Sequence, residues 1–289
     1  MITVIGNYYL TNDLCYYFFV MKIVKIDEVN DERLDIFYRK NEKQLMHINE
    51  PEPGVFIAES ELVINRALDE NYEPISFLIK ENEKNKYDDI FKRCNDNIII
   101  YQVDEEIFNQ LKGFILIKGI LACFKRKADL LFEDVIKDAQ RIVVLEEVEN
   151  PTNVGAIIRN ACAFYADGII FTNDSSDPLY RRSIRVSMGN VFKTKWCKVD
   201  RDTYIDELHK YGFKTVAMAL RDDSVDIDDE KLNSEDKLAI ILGSEGYGLS
   251  DNTIKNSDYI VKIKMNPKID SLNVASASGI ALWQICKRK

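Results

Sequence analysis

Five short runs of nearly uninterrupted branched and apolar residues recur through the second half of the chain, at 141–145, 168–172, 215–220, 238–242 and 259–263, with helical segments between them. A strand that is apolar at consecutive positions has to be covered on both faces, and strands joined through helical crossovers pair in parallel. The spacing therefore predicts a parallel α/β sheet layered by helices. In such sheets ligands bind outside the carboxyl ends of the strands, so the loops that follow these runs are where function is to be sought.

A second alternation precedes it: helix-like 61–71, strand 76–80, helix 86–94, strand 98–103, helical 105–111 and strand 120–126. These βα units predict a smaller α/β domain over 21–132, with a boundary near 128–138 and the second domain running over 138–289. The first twenty residues read as a peripheral extension. Met21 directly precedes the strand-like Lys22-Ile23-Val24-Lys25-Ile26 and is a plausible alternative start.

The net charge of −9 is uneven, −8 over residues 1–140 and −1 over the rest. That excludes a uniformly basic nucleic-acid coat and confines any contact with nucleic acid to a local patch. The six cysteines show no C-x-x-C spacing, which suggests neither a zinc site nor a disulfide framework and points to a reducing cytoplasm. With only His47 and His209 available, a histidine-rich metal site or a Ser-His-Asp relay has little to build on, and no metal is expected. No run approaches the ~18 uncharged apolar residues of a membrane span.

Three loops concentrate the informative residues. Only 12 of 289 residues are glycine, yet three fall in Gly243-Ser244-Glu245-Gly246-Tyr247-Gly248, directly after an apolar strand. The order G-x-x-G-x-G is not the dinucleotide fingerprint, and no lysine follows a glycine as a P-loop requires. A second loop, Glu149 to Asn160, leads into a helix with Asn153 placed as its N-cap and Arg159 on the side shared with Gly155, Cys162 and Ala163. A third, Lys264 to Asn273, ends at a small-residue helix that Ser271 or Asn273 is suited to cap.

Asn153-x-Gly155-x-x-x-Arg159, Gly243-x-Glu245-Gly246-x-Gly248 and Ser271-Leu272-Asn273, in that order, closely resemble the three motifs of the SpoU/TrmH family of RNA methyltransferases over roughly residues 141–289. The resemblance implies a trefoil-knotted parallel-sheet domain preceded by a smaller α/β substrate-binding domain. It also implies homodimerisation through the C-terminal domain and methyl transfer from S-adenosylmethionine to a ribose 2′-hydroxyl of RNA, rRNA ahead of tRNA. Gly243, Ile263 and Leu272, with Gly246 and Met265, are the implied cofactor contacts. Arg159 is the implied catalytic residue, and Asn153, Glu245, Ser271 and Asn273 its supporting shell. Lys264 departs from the family, many of whose members have proline there.

The residue types suit that chemistry. Attack on a sulfonium methyl needs an oxygen held in line and relieved of its proton, without metal or covalent intermediate. Arginine stays protonated, so Arg159 is expected to position phosphate and hydroxyl rather than act as a base. For RNA, the stretch 180–199 contains Arg181, Arg182, Arg185, Lys193, Lys195 and Lys198 and no acid, and Arg181, Arg182, Lys193 and Lys195 are the candidate contacts; the plainer reading is a solvated helix face. Two alternatives compete with the enzyme: an RNA-binding protein with a vestigial methyltransferase fold, and a nucleotide-dependent oxidoreductase on a doubly wound sheet. The presence of Asn153, Arg159, Glu245 and Asn273 opposes the first, and the glycine order opposes the second.

Overall fold

The computed structural model describes residues 2–3, 22–95, 97–114, 119–266, 268 and 271–286. Most of the expected N-terminal extension, 4–21, lies outside them. The chain divides into two compact units, Met1–Ala128 and Asp129–Lys289.

The first unit is built on a six-stranded sheet: β1 (Ile2–Thr3), β2 (Lys22–Ile26), β3 (Val55–Glu59), β4 (Pro74–Lys80), β5 (Ile99–Val103) and β6 (Leu121–Lys125), in spatial order β1-β2-β5-β4-β6-β3. β2, β5 and β4 are parallel, whereas β6 runs antiparallel to both β4 and β3. The sheet is thus mixed, and β3, fully buried, extends the alternation upstream of where it was legible. Lys86 to Cys94 was expected as one helix. The polar stretch Glu81–Tyr87 instead winds as a tight 3-10 helix before a short α-helix, Asp88–Phe91. Phe37, Ile57, Leu78, Val103, Phe108 and Leu121 pack together in its core.

The second unit holds the seven-stranded sheet β7 (Arg141–Leu145), β8 (Gly168–Thr172), β9 (Lys195–Val199), β10 (Lys214–Met218), β11 (Val225–Asp226), β12 (Leu238–Leu242) and β13 (Tyr259–Lys262), in order β11-β13-β10-β12-β7-β8-β9. Every pairing in it is parallel. Its central strands are sealed: Val143, Val144, Ile169, Ile170, Ile240 and Ile241 are fully buried, each worth about 1.5–3 kcal/mol of transfer free energy. β9 falls inside the acid-free basic stretch, so 195–199 is an edge strand with Trp196 and Cys197 turned inward, not a helix face. The chain leaves β7 towards β8 and β9, then returns to the other side of β7 through β10 and β12. The crevice above β7 and β12 is therefore the point where strand order reverses, the place where open α/β sheets hold ligands. No described helix is long and apolar enough to cross a membrane.

Candidate active site

The loops after β10, β12 and β13 converge at the carboxyl end of the sheet around a cavity of about 500 Å³. Gly243 and Gly246 line it from the β12 loop, Ile263, Met265, Ser271, Leu272 and Asn273 from the β13 side, and Met218 to Arg221 from the β10 loop. The β12 loop folds on itself: Ser244 and Gly248 exchange backbone hydrogen bonds of 3.1 Å each, and Gly248 takes a left-handed φ of 71°. A Cβ on Gly243 would stand 2.4 Å from the Gly248 carbonyl carbon, so only glycine permits this closure. At Gly246 a Cβ would meet no protein atom within 4 Å, and the backbone is open towards the cavity.

Beside the cavity, three residues distant in sequence form a chain of hydrogen bonds. Asn153 Nδ2 donates to Glu245 Oε1, and Asn153 Oδ1 accepts from Asn273 Nδ2 at 3.1 Å. Asn273 in turn caps the helix Val274–Ile285, its Oδ1 accepting from the backbone N–H of Ala275 (3.0 Å) and Ser276 (3.3 Å). Asn153 is 8% exposed, and a buried amide left unpaired would cost about 1–3 kcal/mol. This one side chain thereby ties together the loops after β7, β12 and β13. Its position corrects the expected N-cap: Asn150 caps the helix Pro151–Ala163, accepting from Thr152 N–H at 2.8 Å with Pro151 in the first turn, and this leaves the Asn153 side chain free to bridge. Ser271 is exposed and caps nothing among the described residues.

Arg159, six residues along the same helix, is exposed, its side chain makes no hydrogen bond or ion pair among the described residues, and it does not line the cavity. The helix itself is pressed against its neighbours. A Cβ on Gly155 would lie 2.6 Å from the Ser183 carbonyl oxygen, and Asn160 Nδ2 donates to Ala275 O and Ser278 Oγ, both at 2.9 Å, locking this helix to Val274–Ile285.

Two contributors were not visible in the sequence. The β10 loop reads as ordinary Ala219-Leu220-Arg221; its signal is Leu220, an aliphatic side chain left 53% exposed at a strand end. Glu146, following β7, is 1% exposed and accepts hydrogen bonds from Tyr204 Oη (2.6 Å), the Thr253 hydroxyl and Ser250 N–H (2.9 Å), pinning the end of the glycine loop. Burial, with Glu146 alongside, pushes the Tyr204 hydroxyl far above its ordinary range and keeps it a donor. Lys264, the residue noted as a departure from the resemblance, pairs with Asp226 at 2.7 Å.

The basic stretch does not form one patch. Arg182 reaches the site side, its Nε donating to Thr152 Oγ1 at 3.0 Å, and Arg181 precedes it on the helix Arg181–Val186. Lys193 and Lys195 are exposed at the opposite, amino end of β9, and Lys198 is held in an ion pair with buried Asp177.

Residues 140–283 match the SpoU rRNA Methylase family. Over 266 residues the chain is 28% identical to an uncharacterized tRNA/rRNA methyltransferase of Mycobacterium bovis, with 91% of this chain and 92% of that one covered. An uncharacterized tRNA/rRNA methyltransferase of Borreliella burgdorferi is 32% identical over 183 residues, spanning 63% of this chain and 73% of its own. A 23S rRNA guanosine 2′-O-methyltransferase of Bacillus subtilis is 24% identical over 153 residues, 53% and 60% of the two chains. In three dimensions the chain resembles an AdoMet-bound rRNA methyltransferase of Sinorhizobium meliloti, with a TM-score of 0.75 at 23% identity over 91% and 97% of the chains. The glycine turn, the Asn153 bridge and the capped small-residue helix thus lie inside a matched segment, and the chain belongs to the SpoU rRNA methylase family.

Proposed function

We propose that this protein transfers the methyl group of S-adenosylmethionine to a ribose 2′-hydroxyl of RNA, with rRNA the substrate class ahead of tRNA. The observation that carries the reading is the cavity formed by the β10, β12 and β13 loops beside the Glu245–Asn153–Asn273 chain. The names of the M. bovis and S. meliloti relatives agree with RNA methylation, and that of the B. subtilis relative with the 2′-oxygen.

The residues fit the cofactor. The cavity lies within the ~300–1,000 Å³ of small-molecule sites; Ile263, Met265 and Leu272 offer apolar walls for a flat base, Gly243 lets the turn close beside it, and the open backbone at Gly246 allows close approach. S-adenosylmethionine supplies an electrophilic methyl on a sulfonium. Arg159 holds the substrate phosphate and polarises the 2′-hydroxyl through its planar fork of donors. Glu245, Asn153 and Asn273 keep the surrounding loops in one geometry, with Ser271 at the cavity edge. Arg181 and Arg182 meet the RNA backbone near the site, while Lys193 and Lys195 serve a separate segment of a longer RNA.

Since Arg159 stands off the cavity of its own chain, we assign it to the site of a second copy in a homodimer. Helix Val274–Ile285 supports that assembly: it is apolar nearly all round, yet leaves Ser276, Ile280 and Trp283 exposed along one stripe, Trp283 by 57%. A helix of that kind is normally covered. Titration calorimetry of the purified protein with S-adenosylmethionine is the test. Saturable binding at one site per chain is expected, and a folded protein that takes up no cofactor would refute the function.

A further inference from the structure

Tyr247 is the most exposed large hydrophobic side chain among the described residues, at 93%, although it sits in a turn closed by hydrogen bonds. Its own N–H donates to Ser244 Oγ at 3.2 Å, and the residues on either side are held by the Ser244–Gly248 bridge and the left-handed Gly248. The ring is thus carried on fixed backbone while packing against little. It borders two spaces at once: the cofactor cavity on one side, and on the other a cleft formed by Glu147, Glu149, Asn150 and Pro151 with the same turn.

Among the described residues, none of those lining the cleft is cationic. Glu147 is balanced by Arg201 at 2.9 Å and Glu245 is engaged by Asn153, whereas Glu149 is exposed with no side-chain partner among the described residues. A surface of that charge repels phosphodiester, and a nucleobase, uncharged and carrying N–H donors on its edges, meets no such penalty. A rigidly presented aromatic ring at the lip of such a cleft is what a splayed-out base stacks upon. We propose that Tyr247 is the stacking surface for the base of the nucleotide being methylated, which lies in the Glu147–Glu149 cleft while its ribose faces the cofactor cavity. This rests on the function proposed above and assigns to that site the contact which holds the target nucleotide.

The test measures binding of short fluorescein-labelled single-stranded RNA oligonucleotides by anisotropy, with S-adenosylhomocysteine saturating, alongside oligonucleotides of equal length in which every residue is an abasic ribose phosphate. Tyr247→Ala is expected to weaken binding of base-bearing RNA by about 5- to 100-fold, the range stacking on an aromatic ring commands, and to leave the abasic oligomer unchanged. Tyr247→Phe should stay within about twofold of the wild type, and Tyr247→Ile, which keeps apolar bulk without a π-face, should behave as alanine. Equal losses on both oligomers, no loss on either, or a loss confined to cofactor affinity would each overturn the assignment. Calorimetry with S-adenosylmethionine on the wild type reports separately on the underlying function: cofactor uptake with a neutral Tyr247→Ala defeats the stacking role alone.

Discussion

Arg159 presents an exposed guanidinium that nothing in the described part of its own chain engages, which leaves its planar fork of donors available to a ligand. Arg159→Ala is expected to lower the methyl-transfer rate by about 10²-fold or more while cofactor binding persists, since misplacing a reacting group costs that much. Arg159→Lys separates positioning from base catalysis. Lysine retains charge but lacks the fork, so a positioning role predicts near-inactivity from about pH 7 to about pH 10, across an ordinary lysine's titration; recovery at alkaline pH would make Arg159 a base. At this scale the sequence was legible where a residue's chemistry is local. Gly243 and Gly246 could be singled out because glycine after a strand has few uses. Asn153 was misjudged because capping and bridging draw on the same amide, and the discriminating clue was Pro151, which favours the first helical turn and makes Asn150 the cap. Glu146 was invisible, since its burial is created by Tyr204 and Thr253, 58 and 107 residues away.

Among the elements, the glycine turn makes two substitutions behave oppositely. Gly243→Ala drives a methyl into the Gly248 carbonyl, and overpacking of that kind costs about 1–3 kcal/mol, a fall in Tm of about 2–10 °C by calorimetry or circular dichroism. At Gly246 a Cβ has open space around it, so Gly246→Val should melt within about 2 °C of wild type yet lose S-adenosylmethionine binding in titration calorimetry. Equal cofactor affinity in Gly246→Val would remove this turn from the cofactor site. The buried strands of the second unit could be read from their unbroken apolar runs because runs so short and so rich in branched residues favour a strand covered on both faces. β9 could not: Lys195-Trp196-Cys197-Lys198-Val199 is an edge strand, exposed at its first lysine, and its charge mimics a surface helix. The antiparallel turn of β6 was equally hidden, since strand direction depends on where the chain re-enters the sheet and not on the strand's own residues.

At the scale of the whole molecule, function depends on a second copy of the chain and on an RNA. Trp283→Asp places a charge in the exposed stripe of Val274–Ile285 and is expected to raise the dimer dissociation constant by about 30-fold or more, as loss of a central aromatic anchor does; light scattering across a dilution series checks this, and a wild type that is monomeric throughout contradicts the assembly. Threading and association lie beyond periodicity for a common reason. Strand order is a matter of neighbours, whereas the passage of one loop through another, or the meeting of two chains, belongs to the full path and to surfaces whose complement is elsewhere. The central claim, methylation at a ribose 2′-oxygen, has a direct readout. A 2′-O-methyl removes the nucleophile by which alkali cleaves the adjoining phosphodiester. RNA from cells lacking the gene, incubated with the protein and S-adenosyl[methyl-³H]methionine and then hydrolysed in alkali, should release its label in dinucleotides, and Arg159→Ala should leave that fraction empty. Label recovered in mononucleotides, the mark of a methylated base, or no label in RNA from a folded protein that binds the cofactor, would contradict the account.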